Sequence, residues 1–303
     1  MKHYLSALIG FTIWGTFALV LRPLAGYPAL DILIHRVIIA SVSIVFACFI
    51  FRKRQTLASI DYIRNATREQ RWRLLVNLLL SAVMLGLNWY IFIYVMNAVS
   101  VNATSLAYLI CPILTTVLAR VFLHEKLNKG QWTAVVLSGV SCVILAYGHF
   151  LDLIYSMTIA LTYAIYLVLQ KNSFKIDGFF ALTIHIVVST LLLLPILAVI
   201  DPALPRTNTF YVLVAVIAVG YTIVPLFLNI YALKGLDSSI VATLLNLNPI
   251  ISFLLAVCYY KEPINIFQIA GFGLVFIAVV IFNVAYLFGK RRNSVRIYTH
   301  PDA

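Results

Sequence analysis

The chain has 303 residues, of which 63% are apolar and only 11% charged, with a mean hydropathy of +1.00 and a formal net charge of +12. An average soluble domain is about a quarter charged, so these values exclude a water-soluble globule, a disordered chain, a disulfide scaffold and, despite the positive charge, a nucleic-acid-binding module. They leave an integral membrane protein and do not exclude an enzyme embedded in the bilayer.

A helix needs about 20 predominantly apolar residues to cross a bilayer core of roughly 30 Å. Ten windows meet that requirement: 4–21, 30–51, 74–95, 102–123, 131–149, 151–170, 179–200, 210–232, 237–260 and 264–288. Their apolar runs are continuous rather than alternating, which predicts an all-α bundle and not a β-barrel. Arg22-Pro23 and Gly26-Tyr27-Pro28 separate the first two spans, and Asp201-Pro202 with Pro205 separates the seventh from the eighth. The connection at 148–152 is short enough to require a tight hairpin. The first window follows Lys2 but carries no small-x-small cleavage site, so it reads as a true span.

Eighteen of the 22 Lys and Arg residues fall on one side of a ten-span arrangement, most of them in the 52–73 loop and after residue 289. Arg22, Arg206 and Lys261 fall on the other, and Arg36 lies within span two. By the positive-inside rule both termini are expected in the cytoplasm. The basic 52–73 loop either obeys that rule or binds anionic lipid. The four cysteines, Cys48, Cys111, Cys142 and Cys258, sit in apolar windows without a C-x-x-C pair and are expected as small buried hydrophobes, with no disulfide and no metal.

The segment 88–145, shifted by 137 residues without gaps, falls on 225–282. Tyr94 meets Tyr231, Pro112 meets Pro249, Glu125 meets Glu262, Asn128 meets Asn265 and Gln131 meets Gln268. Leu and Val recur in any membrane protein; the informative feature is the match of these rarer residues in one register. The expected organisation is a five-helix repeat over 1–148, a second over 149–289 and a basic cytoplasmic tail over 290–303. Five is odd, so the second copy enters the membrane from the opposite side, an inverted repeat of the kind that recurs among secondary transporters.

The segments Asn88-Trp89-Tyr90-Ile91-Phe92-Ile93, Ala103-Thr104-Ser105-Leu106-Ala107-Tyr108, Pro112, Phe122-Leu123-His124-Glu125-Lys126-Leu127 and Gln131-Trp132 resemble the EamA-type transporters of the drug/metabolite transporter superfamily, most closely their RarD-like branch. Trp14-Gly15, Asp31 with His35-Arg36, and Asn248-Pro249 followed by Glu262 extend the resemblance over about residues 8 to 288. Cys111-Pro112 stands where the family has Asn-Pro, and Asp31 where Glu is common. The resemblance implies a bacterial inner-membrane permease for a small metabolite or drug-like molecule.

Ionisable residues inside a bilayer are costly and therefore candidates for function. His35 and Arg36 are expected to bind a polar or anionic group from a central cavity; alternatively Arg36 snorkels outward or pairs with Asp31. Asn88, Trp89, Tyr108 and Asn246 are the further candidate substrate-binding residues, each of which has helix packing as its alternative. Pro112, Asn248 and Pro249 mark a paired kink, expected as a hinge or gate rather than a static bend. Glu125 and Glu262 end their spans and read as boundary residues. His185 reads as a packing partner more readily than as a proton relay. None of the ten carboxylates lies in the middle third of a span, and no nucleotide-binding loop is present. The expected partners are a small-molecule substrate, with an anionic or carboxylate-bearing one favoured by Arg36, the lipid bilayer and, as an open alternative, a second copy of the chain. No cofactor and no nucleic acid are expected. The competing reading is a non-transporting membrane enzyme or regulator on the same fold.

Overall fold

The computed structural model describes residues 1–98, 101–145, 147, 150–171, 176–198, 207–261 and 266–299, and these form helices and turns with no strand among them. The chain begins with α1 (Lys2–Gly15) and a short α2 (Ala18–Leu21). Then come α3 (Ala29–Phe51), α4 (Lys53–Asn65), α5 (Arg68–Ala98), α6 (Val101–Phe122) and α7 (Lys129–Leu145). The second half contains α8 (Phe150–Lys171), α9 (Gly178–Leu193), α10 (Asn208–Ala218), α11 (Val224–Leu233), α12 (Ser238–Leu245), α13 (Leu247–Cys258) and α14 (Ile266–Thr299).

Seven of the helical segments are long and apolar enough to cross a membrane, and three shorter apolar helices, Leu106–Phe122, Lys129–Leu145 and Gly178–Leu193, fall in the fourth, fifth and seventh windows. The departures from the windows have local causes. The 52–73 loop contains α4, which turns Tyr62 and Ile63 onto Leu74, Leu78, Ile176 and Ala181 and leaves its basic side chains exposed. The eighth span is α10 and α11 joined by one π turn (Val219–Ile223). The ninth is two helices with a break at Asn246. Span seven tightens to a 3₁₀ turn at Leu194–Ala198, where Pro195 removes an amide donor.

Neighbours in the bundle pack as α6 with α8, α5 with α8 and α9, α3 with α9 and α10, α1 with α11 and α13, α6 with α12, and α7 with α14. The largest core cluster runs through all of this, from Phe11 and Leu85 to Leu109, Tyr166, Leu167, Leu245 and Phe282. Backbones approach closely at small residues, as transmembrane helices require. A Cβ built on Gly15 would stand 2.6 Å from Ile251 Cβ, so α1 and α13 touch there only because residue 15 has no side chain. Of the four free cysteines, Cys48, Cys111 and Cys142 are buried as expected. Cys258 is exposed, which corrects the expectation for that residue: it closes α13, where the helix has left the core.

Candidate functional site

The helices alternate in direction, so one end of the bundle gathers the start of α1, the ends of α6 and α8 and the start of α12. This end, which holds the N-terminus, is called the base, and the opposite end the mouth. A cavity of about 640 Å³ occupies the mouth half. It is lined by Trp14 and Phe17, by Ala29 to Arg36 near the start of α3, by Asn88 to Ile93 near the end of α5, by the first turns of α6 and α14, and by Asn248 to Ala256 of α13. Its deepest lining residues, Cys111, Leu226 and Asn248, lie in the inner parts of spans four, eight and nine. That volume is within the ~300–1,000 Å³ common for small-molecule sites.

Arg36 is the one Lys or Arg among the cavity's described lining residues. Two turns into α3, its guanidinium carbon lies 5.2 Å from the centroid of the Trp89 ring. Its Nε is buried with no hydrogen-bond partner, and no described carboxylate pairs with it. At the centre of a spanning helix an arginine costs about 2.5–3.5 kcal/mol on insertion scales, and one cation–π contact returns ~0.5–2 kcal/mol. The charge is therefore only partly compensated by the protein. Asp31 does not supply the balance; its backbone carbonyl lies 2.8 Å from His35 Nδ1, one turn on.

The structure brings six of the nine candidate residues to the cavity wall: Arg36, Asn88, Trp89, Tyr108, Asn248 and Pro249. Asn88 also ties α5 to α8, its Nδ2 donating to the Ile159 carbonyl at 2.9 Å and to Thr162 Oγ1 at 3.1 Å. Tyr108 packs its ring 5.7 Å from Phe92. His35 stands elsewhere, edge-on to Phe210 and Tyr211 of α10 with ring centroids 5.4 and 5.9 Å away. Asn246 and Pro112 face a separate space of about 10 Å³ between α6, α7, α12 and α14, roomy enough for about one water. Asn246 Oδ1 is buried there without a partner. The paired kink is unequal: the chain breaks at Asn246 before Pro249, whereas α6 continues through Pro112.

Sequence reasoning missed Tyr163, Tyr221 and Thr222, which line the cavity, and gave Trp14 no role there. One signal was available. Pro225 has no amide to donate to the carbonyl four residues earlier, and that carbonyl belongs to Tyr221. Trp14 Nε1 donates to it at 2.8 Å, which fastens α1 to the π turn beside the cavity. Such single π turns are frequent at functional sites.

The base half is held by polar ties. Glu125 caps α12: Oε1 accepts from the Ser238 amide at 2.6 Å, and Oε2 accepts from the Ser239 amide at 3.1 Å and the Ser239 hydroxyl at 2.6 Å. Lys171 Nζ donates to the carbonyl of Leu233 at 2.8 Å and to that of Leu236, so acid and base grip the same α11–α12 turn. The carboxylate meets the positive end of α12 and the ammonium meets carbonyls closing α11, each the favourable sign. Arg52 pairs with Asp177 at 2.8 Å, and Asp177 in turn caps α9. Tyr4 donates to Asn283 Oδ1 at 2.8 Å. Glu262, the repeat partner of Glu125, lies outside the described residues.

Apolar helices wrapped around a partly polar cavity define a multi-pass membrane protein. The chain belongs to the EamA-like transporter family, whose model matches residues 1–147 and 151–284. It is 29% identical over 301 residues to Protein RarD of Escherichia coli, covering 96% of each chain. It is 29% identical over 289 residues to an uncharacterized transporter of Vibrio cholerae, 93% of this chain and 92% of that one. The uncharacterized transporter YojE of Bacillus subtilis is 26% identical over 301 residues, 97% of each. A solved crystal structure shares the fold at a TM-score of 0.75 and 12% identity, over 94% of this chain and 98% of its own.

Proposed function

We propose that this protein is a permease of the bacterial inner membrane that moves a small molecule by alternating access, without catalysis. Its ten spans form two inverted five-helix repeats, with both termini in the cytoplasm. The observation that carries the reading is the cavity of about 640 Å³, which reaches the inner parts of spans four, eight and nine from the mouth while the base half is tied shut. In the proposed orientation the mouth faces outward, and Arg36, Asn88, Trp89 and Tyr108 hold the substrate, with His35 and Asn246 outside the cavity wall. Asn246, Asn248 and Pro249 form the hinge on one side and Pro112 its counterpart.

Two features support the repeat. Exchanging the halves turns the α6–α8 pair into α1–α13 and the α5–α8 pair into α1–α11, and leaves α7–α14, α6–α12 and α3–α9 on themselves. Among the described residues, the non-glycine ones with left-handed backbone, His124 at φ 55° and Lys261 at φ 57°, are also separated by the repeat shift. An inverted repeat supplies the mirrored arrangement that alternating access needs.

Flux in proteoliposomes tests this. Vesicles preloaded with an unlabelled candidate should accumulate its labelled form from the medium by exchange, and Ala256→Trp, which fills the cavity, should abolish it. Equal accumulation in protein-free vesicles for every ligand that binds the pure protein would refute transport and favour a non-transporting role.

A further inference from the structure

We infer that the cavity takes an organic monoanion with a flat, apolar or aromatic body and no cationic group. The described lining contains one positive charge, Arg36, and no Asp or Glu. The rest of the wall is mainly apolar, and 11 of its 34 lining residues carry aromatic rings, including Trp14, Trp89, Tyr163, Tyr221, Phe253 and Phe272. The guanidinium offers a planar fork of donors that matches a carboxylate in bidentate geometry, and no described carboxylate already occupies it. One guanidinium neutralises one negative charge, so a dianion entering this apolar space would carry an uncompensated charge.

A substrate ammonium fares worse. It has no acidic partner in the described wall, and at the Trp89 face it would meet Arg36, which lies 5.2 Å from that ring. The Tyr221 carbonyl, a natural acceptor beside the π turn, is taken by Trp14. Two like charges in a low-dielectric cavity repel strongly. Zwitterions are therefore disfavoured relative to the same molecule without its amine, and short anions without a ring leave the aromatic wall unused.

This inference rests on the cavity being the substrate site, and one calorimetric experiment separates the two claims. The full-length protein in detergent at pH 7.5 is titrated with 3-phenylpropanoate, its amide, phenylalanine and propanoate. The ring-bearing anion should bind about tenfold or more tightly than each of the other three, the equivalent of ~1.4 kcal/mol. Arg36→Gln should bring its affinity down to that of the amide, and Arg36→Lys, which keeps the charge, should retain part of the preference. Phenylalanine or the amide binding as tightly as the anion overturns the inference; if Ala256→Trp still blocks that binding, the cavity remains the site. If Ala256→Trp, folded with an unchanged ligand-free Tm, binds the anion as the wild type does, both claims fail. Ala18→Phe fills the same cavity should Ala256→Trp not fold. Heat from none of the four probes also overturns the inference.

Discussion

The two halves of this bundle solve the problem of polar groups in a membrane in opposite ways. At the base every charge that matters is spent on another part of the protein: Glu125 on Ser238 and Ser239, Lys171 on Leu233 and Leu236, and Arg52 on Asp177. Toward the mouth, Arg36 lies over the face of Trp89 and, among the described lining residues, meets no acid. A satisfied network rigidifies, whereas an unsatisfied buried group costs stability and persists where something else completes it. Under the proposed function, the contrast would separate a closure from a binding site with residues of the same chemical types.

The comparison is broken most severely at Glu125. Glu125→Gln keeps the shape but removes the charge from three hydrogen bonds at the start of α12. Hydrogen bonds to charged groups contribute about 1.5–3 kcal/mol, so a loss of this order should open the base. In a background free of native cysteines, maleimide labelling of Ala242→Cys, buried on α12, is expected to rise about tenfold or more on adding Glu125→Gln. Unchanged labelling would show that the capping carboxylate does not hold the base closed.

Arg36 should behave in the opposite sense. Arg36→Met removes an incompletely compensated buried charge, and ligand-free stability is expected to stay level or rise by up to roughly 1 kcal/mol, measured as Tm in detergent. A clear fall in Tm would make Arg36 a structural residue and dissolve the contrast between the halves. The smallest effect belongs to the exposed pair Arg73–Glu69, whose side chains are 78% and 72% accessible. Glu69→Gln should shift stability by less than about 0.5 kcal/mol. A larger change would mean that charge on α5 matters through the base as a whole and not through the specific ties.

Much of the fold was legible because membrane insertion demands long apolar segments and because rare residues repeat in register. All ten windows coincide with apolar helical segments, and Asn128 with Gln131 forms the reciprocal cap, at 2.9 Å in both directions, that opens α7. The internal breaks were less legible. Hydropathy is blind to the π turn before Pro225 and to the interruption at Asn246, since neither changes how apolar the span is. The helix in the 52–73 segment was hidden by its charge, because its few contacts come from single residues such as Tyr62 and Ile63.

By itself the sequence determined the medium the protein lives in, the places where helices cross or end, and a set of polar residues too costly to be incidental. Burial cost is a property of residue type, so composition and pattern carry it. Only the tertiary structure decided which of those residues meet. Arg36 and His35 are neighbours in the chain, yet α3 turns the first to the cavity and the second against Phe210. Helical rotation of about 100° per residue separates them, and the angle at which α3 packs on α9 and α10 decides which way each one faces. Whether a buried charge is spent or unspent depends on partners 60 to 115 residues away, as with Lys171 and Glu125, and such distances are closed only by folding.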